Sequence, residues 1–202
     1  MLAQAYQALT KDPKGTAPLI FAFHGTGGDE NQFFGLAQDI HPDAGVISLR
    51  GDVLEMGAAR FFRRTGEGIY DMDDLARATE KMAAYVTDWK QKNPDRAIYG
   101  FGYSNGANIL ASVMISHPEL FDRVGLLHPL IPWEPSSVSG LKDTQVLVTA
   151  GRHDPICPWP QTERLTRWIG AQGAELTTHY HDGGHEMRRE ELTALEALLR
   201  DH

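Results

Sequence analysis

One pentapeptide could supply a nucleophile. Gly102-Tyr103-Ser104-Asn105-Gly106 has the form G-x-S-x-G. It follows an apolar run, residues 96–103 (RAIYGFGY), and precedes a run with helical spacing, NGANILASVMI. That placement suits a serine raised on a tight strand-to-helix turn, where flanking glycines let strand and helix approach without Cβ clashes. The hydroxyl then sits at a helix N-terminus, whose dipole favours negative charge developing nearby. The bare pattern arises by chance in roughly one chain of this length in fifteen to twenty. Its weight therefore rests on the flanking segments and on the presence of partners. The plain alternative is a glycine-rich turn with an ordinary helix-capping serine.

A serine nucleophile needs a base, and the base needs an orienting acid. Of nine histidines, His185 stands in Asp182-Gly183-Gly184-His185-Glu186, after the last strand-like segment and before the last helical one. Asp154 stands in Gly151-Arg152-His153-Asp154-Pro155, directly after the strand-like QVLVTA, and is the only acid in that loop. The order Ser104, Asp154, His185 is the order this chemistry takes on a strand-to-helix turn. Asp-Pro is also common in ordinary turns. His24 precedes the serine in the chain and reads as a packed, hydrogen-bonded histidine. His179 and His181 share one face of a strand. They could begin a metal site, but no third ligand is apparent, so no metal is expected.

Acyl transfer places negative charge on a carbonyl oxygen, which two aimed N–H groups can stabilise. The amide of Asn105, next to the nucleophile, is one candidate. The glycine-dense segment His24-Gly25-Thr26-Gly27-Gly28-Asp29-Glu30 supplies the other, with Thr26 as the expected donor. A phosphate-cradling loop is excluded here because no Gly-Lys-Ser/Thr follows. The segment Arg60-Phe61-Phe62-Arg63-Arg64 lies in what reads as a loop leaving the strand VISL. Arg60, Arg63 and Arg64 could read a substrate carboxylate, and Phe62 could form an apolar wall beside them. The alternative is that these arginines pair with Glu67, Asp71, Asp73 or Asp74 and only hold the loop.

The elements that must position these groups are visible as alternating patterns. Short apolar runs at 18–24, 46–49, 96–103, 124–127, 145–150 and 175–180 read as buried parallel strands. Helical spacing appears at 73–92, 105–117, 160–170 and 186–200. Strand–helix alternation predicts a single α/β domain over residues 1–202, with a mostly parallel sheet and helices on both faces. In such sheets ligands bind at the carboxyl ends of the strands. The serine, acid, base and glycine loop all fall there. No long apolar insertion suggests a large lid.

Composition narrows the function classes. The formal charge is −8, which disfavours a phosphate backbone as partner, so no nucleic acid is expected. The single cysteine, Cys157, excludes an internal disulfide and fits a reducing compartment. The segment MLAQAYQALTKDPKG has no basic-then-apolar signal pattern, and no run of about 18 apolar residues occurs. A cytoplasmic protein that does not span a membrane is expected.

The four motifs together resemble the phospholipase/carboxylesterase family of α/β-hydrolases, which includes the acyl-protein thioesterases. The segment 60–75, with Glu67-Gly68-Ile69-Tyr70-Asp71, is similar to its small bacterial carboxylesterases and hydroquinone-resistance hydrolases. The resemblance spans nearly the whole chain. It implies a compact, often dimeric enzyme without cofactor, acting on small or medium carboxylic esters. Thioester or lysophospholipid hydrolysis is the alternative within the same chemistry, and a non-catalytic binding module is the alternative outside it. Thr26-Gly27-Gly28 departs from the Leu-Gly-Asp type of loop found in acyl-protein thioesterases, which argues against deacylation of lipidated proteins.

Overall fold

A computed structural model describes residues 6–200. The elements run β1 (Ala8–Lys11), β2 (Leu19–Phe23), α1 (Phe34–Ile40), β3 (Gly45–Leu49), β4 (Val53–Glu55), β5 (Ala58–Arg60), β6 (Arg64–Gly66), β7 (Ile69–Tyr70), α2 (Met72–Lys92), β8 (Ile98–Tyr103), α3 (Asn105–Ser116), β9 (Arg123–Leu127), β10 (Gln145–Gly151), α4 (Trp159–Ala171), β11 (Glu175–His181) and α5 (Arg189–Leu199). Seven strands form the central sheet in the order β1-β3-β2-β8-β9-β10-β11. All neighbours are parallel except β1, which runs antiparallel to β3.

The strands alternate between two cores. Leu19, Phe21 and Phe23 of β2 face a large core completed by α2, α3 and α4, including Met82, Ile109, Val113 and Leu165. Ile20 and Ala22 face a smaller core with Ala37 and Ile40 of α1 and Leu195 and Leu199 of α5. Each fully buried Leu, Ile or Phe removes apolar surface from water worth about 1.5–3 kcal/mol. Burial on both faces is why β2, β3 and β8 read as continuous apolar runs.

Helix α2 starts at Asp71, whose side chain accepts the Asp74 amide at 3.1 Å, and Asp73 and Asp74 occupy its first turn. Helix α5 starts later than its apolar spacing implies. Residues 186–188 are taken by the turn, where Glu186 accepts the Gly184 amide at 3.0 Å.

The segment between β3 and α2 is not an open loop. It folds into two antiparallel hairpins, β4–β5 and β6–β7. The first turns on Met56 and Gly57, both at positive φ (48° and 84°). That is the geometry a two-residue hairpin demands, and methionine adopts it rarely. The chain passes from β2 to β3 on one side and to β8 on the other, so the sheet's direction of winding reverses between β2 and β8. The loops leaving these two strands carry Thr26 and Ser104.

Candidate active site

Ser104 sits at φ 52°, ψ −117°, between β8 and α3. A non-glycine residue there is strained by roughly 1–3 kcal/mol and persists only when its surroundings fix it. The flanking glycines show how. A Cβ on Gly102 would lie 2.6 Å from the backbone carbon and oxygen of Gly106, and one on Gly106 would collide with the Phe23 carbonyl of β2. The first turn of α3 therefore lies directly on the strand ends, and the serine at the bend is pushed outward.

The sheet brings the three sequence-predicted residues into one line. Ser104 Oγ lies 2.9 Å from His185 Nε2, and His185 Nδ1 lies 2.7 Å from Asp154 Oδ2. The loops that carry acid and base are fastened together beyond their strands. Arg152 N donates to His181 O (2.8 Å) and His153 N to Gly183 O (3.0 Å). Tyr103 O–H donates to His185 O at 2.6 Å, which holds the base from the β8 side. Asp154 is 4% exposed, and its Oδ1 accepts the amides of Ile156 (2.8 Å) and Cys157 (2.9 Å). Burial alone would raise its pKa. The hydrogen bonds from His128, His185 and the Cys157 amide outweigh burial and hold the carboxyl well below the usual carboxylate range.

Asn105 begins α3, where amides have no intrahelical partner. Its side-chain Oδ1 accepts the Phe61 amide at 2.8 Å. In the β2 loop, Gly27 N donates to Ala59 O (3.0 Å), fixing the loop to hairpin β4–β5. Thr26 Oγ1 accepts from Arg60 Nη1 at 2.8 Å. His24 is buried, its Nδ1 2.6 Å from Gly25 O and its Nε2 accepting the Gly51 amide at 2.9 Å. It braces this loop and stands away from the serine–histidine–aspartate line.

A cavity of about 310 Å³ opens over Ser104, lined among others by Thr26, Arg60, Arg64, Tyr70, Asn105 and His185. Arg60 and Arg64 both line it, and both pair with Glu55, at 3.2 Å and 3.0 Å. Two residues expected at this wall stand elsewhere. Arg63 pairs with Asp71 and Asp74 at 3.1 Å and 3.2 Å, at the start of α2. Phe62 is fully buried, its ring 4.8 Å from that of Tyr70, because the hairpin folds it into the core instead of leaving it on a loop. The far end of the cavity is a polar knot. Asn108 Nδ2 donates to the Tyr70 hydroxyl (2.8 Å), which donates to Leu130 O (2.8 Å), while Asn108 Oδ1 accepts the Leu130 amide (2.6 Å).

Sequence reasoning missed His128, which follows β9. Its position just past a strand's carboxyl end is the same signal that singled out Asp154. Its ring is fully buried, with Nδ1 3.0 Å from Asp154 Oδ2 and Nε2 3.0 Å from Glu191 Oε1. His181 Nε2 lies 3.3 Å from Glu191 Oε2. The two contacts to Glu191 fall outside good hydrogen-bond angles. Burial opposes charging of His128, yet Asp154 and Glu191 prevail and push its pKa up to about 9. Glu191 is held below its usual range against its own burial, chiefly by His128.

Among the described residues, two groups of three side chains are close enough to converge on an ion: His128, His181 and Glu191, or His128, Asp154 and His185. The second overlaps the serine–histidine–aspartate line. In the first, His181 Nδ1 accepts the Gly183 amide at 3.0 Å, which leaves its proton on Nε2, facing Glu191. A protonated nitrogen is not a ligand, so the residues fit a charge-paired cluster better than a metal site. Among the described residues, no helix is long and apolar enough to cross a membrane.

No protein-family model matches the chain. It is 35% identical over 182 residues to MhqD of Bacillus subtilis (strain 168), covering 88% of this chain and 90% of that protein. The fold matches Atu2452, a protein of unknown function from Agrobacterium tumefaciens str. C58, at a TM-score of 0.94 and 48% identity over 98% of each chain. It matches a Bacillus cereus carboxylesterase at 0.89 and 32%, over 96% of this chain and 93% of that one. It matches YahD, solved with malic acid, at 0.88 and 25%, over 96% and 98%. With a relative of this identity spanning nearly all of both chains, and a carboxylesterase sharing the fold, the chain is a serine ester hydrolase and belongs to the phospholipase/carboxylesterase family of α/β-hydrolases.

Proposed function

We propose that the protein is a carboxylesterase working through a Ser104–His185–Asp154 triad on small carboxylic esters. The observation that carries this reading is the continuous contact from Ser104 Oγ through both ring nitrogens of His185 to Asp154, at 2.9 Å and 2.7 Å, at the foot of a cavity. His185 takes the serine proton as Oγ attacks the ester carbonyl, and the tetrahedral oxyanion rests on the amides of Thr26 and Asn105. The tetrahedral intermediate collapses and the alcohol leaves with the proton held by His185. His185 then activates a water that attacks the acyl-serine, and the acid is released. Asp154 stays ionised throughout, keeps the ring oriented and stabilises the imidazolium.

Size and charge select among family substrates. A cavity of about 310 Å³ walled by Arg60 and Arg64 suits a short acyl or alkoxy group better than a long chain, which disfavours lysophospholipids. Arg60 and Arg64 share one carboxylate partner, Glu55, so an ester that carries its own carboxylate is the favoured class. The YahD structure, with its malic acid, supports this choice. Glu67 lines the same cavity and opposes an anion.

The test is a fluorophosphonate label read by mass spectrometry, together with Ser104→Ala. We expect one adduct, on Ser104, and a loss of kcat of at least several hundred-fold in the variant. Retention of more than about a hundredth of wild-type kcat in a folded variant rejects the nucleophile. For substrate class, an ester with a free carboxylate is compared with its neutral amide analogue. Arg64→Ala should lose about tenfold in kcat/KM on the first and little on the second, and Glu67→Gln should gain on the first alone.

A further inference from the structure

His128 is not needed for the reaction as written above. Yet its backbone and its ring are both tightly held. It sits at φ 52°, in a region that costs a non-glycine residue energy, and its amide is tied to Thr149 O of β10 at 2.9 Å. Its ring is fully buried. The oxygen it contacts, Asp154 Oδ2, is the same one that receives His185 Nδ1. Its other nitrogen faces a second buried carboxylate, Glu191. Resting on the triad assigned above, we propose that His128 is a positioning residue, a buried cation that shares Asp154 Oδ2 with the catalytic base and balances the charge of Glu191.

Charge accounting supports this role. A carboxylate on each side leaves no lone pair in a favourable place on the ring, so both nitrogens carry protons. Asp154, Glu191 and His128 then sum to one negative charge. His185 becomes positive during the reaction, and the cluster passes to neutrality at the step where charge develops. With His128 neutral, the base would sit above two unbalanced carboxylates. It would hold its proton more tightly and return it less readily to the leaving alcohol.

The groups facing this centre come from every packed element. Tyr103 and Ser104 lie at the end of β8, and Asp154 and Cys157 follow β10. His181 comes from β11, with His185 in the loop after it, and Glu191 from α5. Arg60, Arg64 and Glu67 stand across the cavity. The His128 and His185 ring centroids are 5.2 Å apart. At that distance a lost positive charge is felt as about one pH unit.

The experiment compares the acid limb of kcat/KM in wild type, His128→Asn, Glu191→Gln and the double variant. Asparagine tolerates positive φ and places its amide nitrogen near the position of Nδ1, so the contact to Asp154 survives while the charge is lost. Glutamine at 191 keeps an oxygen for the Arg188 amide. We expect the limb to move to higher pH by about one unit in H128N, to lower pH in E191Q, and back to within about 0.3 units of wild type in the double variant. A limb that stays put in both single variants, whatever happens to kcat or yield, overturns the assignment. If H128N does not fold, E191Q decides alone: an unmoved limb overturns the assignment and a downward shift supports it. Fluorophosphonate labelling of wild-type Ser104 is run alongside. A missing label rejects the triad itself, whereas an intact label with fixed limbs rejects only the role of His128.

Discussion

Raising the pH from 6.5 to 8.5 should destabilise this protein, and one residue should be responsible. His128 titrates near 9 in the folded chain, against 6.5 unfolded. A group whose folded pKa is raised contributes its full stability below the unfolded value and loses it as pH climbs through the folded one. Between those limits the unfolded chain has released a proton that the native state still holds, so unfolding becomes easier with each step in pH. A gap of about two and a half units, at ~1.4 kcal/mol per unit, is on the order of 3 kcal/mol. About 2 kcal/mol of it should be gone by pH 8.5. For a chain of this size that corresponds to a fall in Tm of about 4–8 °C. The window is clean. His24, whose pKa is lowered mainly by burial, changes its contribution only below 6.5. Cys157, pushed up by burial, and Tyr103, pushed up to about 12 by burial and then by Asp154, add alkaline losses that set in only near their unfolded values of 9.0 and 10.0 and grow above them. The assay is thermal unfolding followed by circular dichroism at constant ionic strength, on wild type and His128→Asn. The variant should start lower and show a nearly flat profile. A wild-type Tm that is level from pH 6.5 to 8.5, or an equal slope in the variant, refutes a charged His128.

Three further outcomes follow from the geometry. Gly106→Ala forces a Cβ into the Phe23 carbonyl, with no flexible side chain to yield, so we expect a loss of 3 kcal/mol or more, on the order of severe overpacking, read by urea unfolding. Arg63→Ala removes only ion pairs at the start of α2 from a half-exposed side chain, so Tm should fall by no more than about 4 °C, with kcat/KM unchanged on both acidic and neutral esters; a selective loss on the acidic ester would return Arg63 to the binding wall. Dialysis against a chelator should leave activity intact, and a loss restored by zinc would place an ion among His128, His181 and Glu191.

The strands were legible where burial on both faces leaves a continuous apolar run, as in residues 19–23 and 145–150. The serine turn was legible because steric necessity fixes both of its glycines. Strand β1 and helix α1 escaped notice. Four residues with one polar face, and seven whose cap makes no side-chain hydrogen bond, carry little periodic signal. The hairpins were hidden for a different reason. Met56-Gly57 adopts a turn usually announced by Asn-Gly, and strands of two or three residues are set by what they pack against. Phe62 shows the consequence. An aromatic beside arginines reads as a pocket wall until the hairpin turns it inward. The position of His128 just past a strand end could be read, but its role could not, since its partners Asp154 and Glu191 are 26 and 63 positions away in the chain and meet it only through the sheet.

The backbone bonds that join the loop after β10 to the loop after β11 have a dynamic consequence. Arg152 and His153 donate to carbonyls on either side of Asp182, and a Cβ at Gly151 would strike the carbonyl of Gly184, so neither loop can lift without the other. In native-state hydrogen exchange, the amides of residues 152 and 153 should therefore open with a single free energy and a single dependence on denaturant, as one cooperative unit. Acid and base leave together and return together. A half-assembled centre, with a histidine lacking its carboxylate, would have no lifetime of its own in the native ensemble.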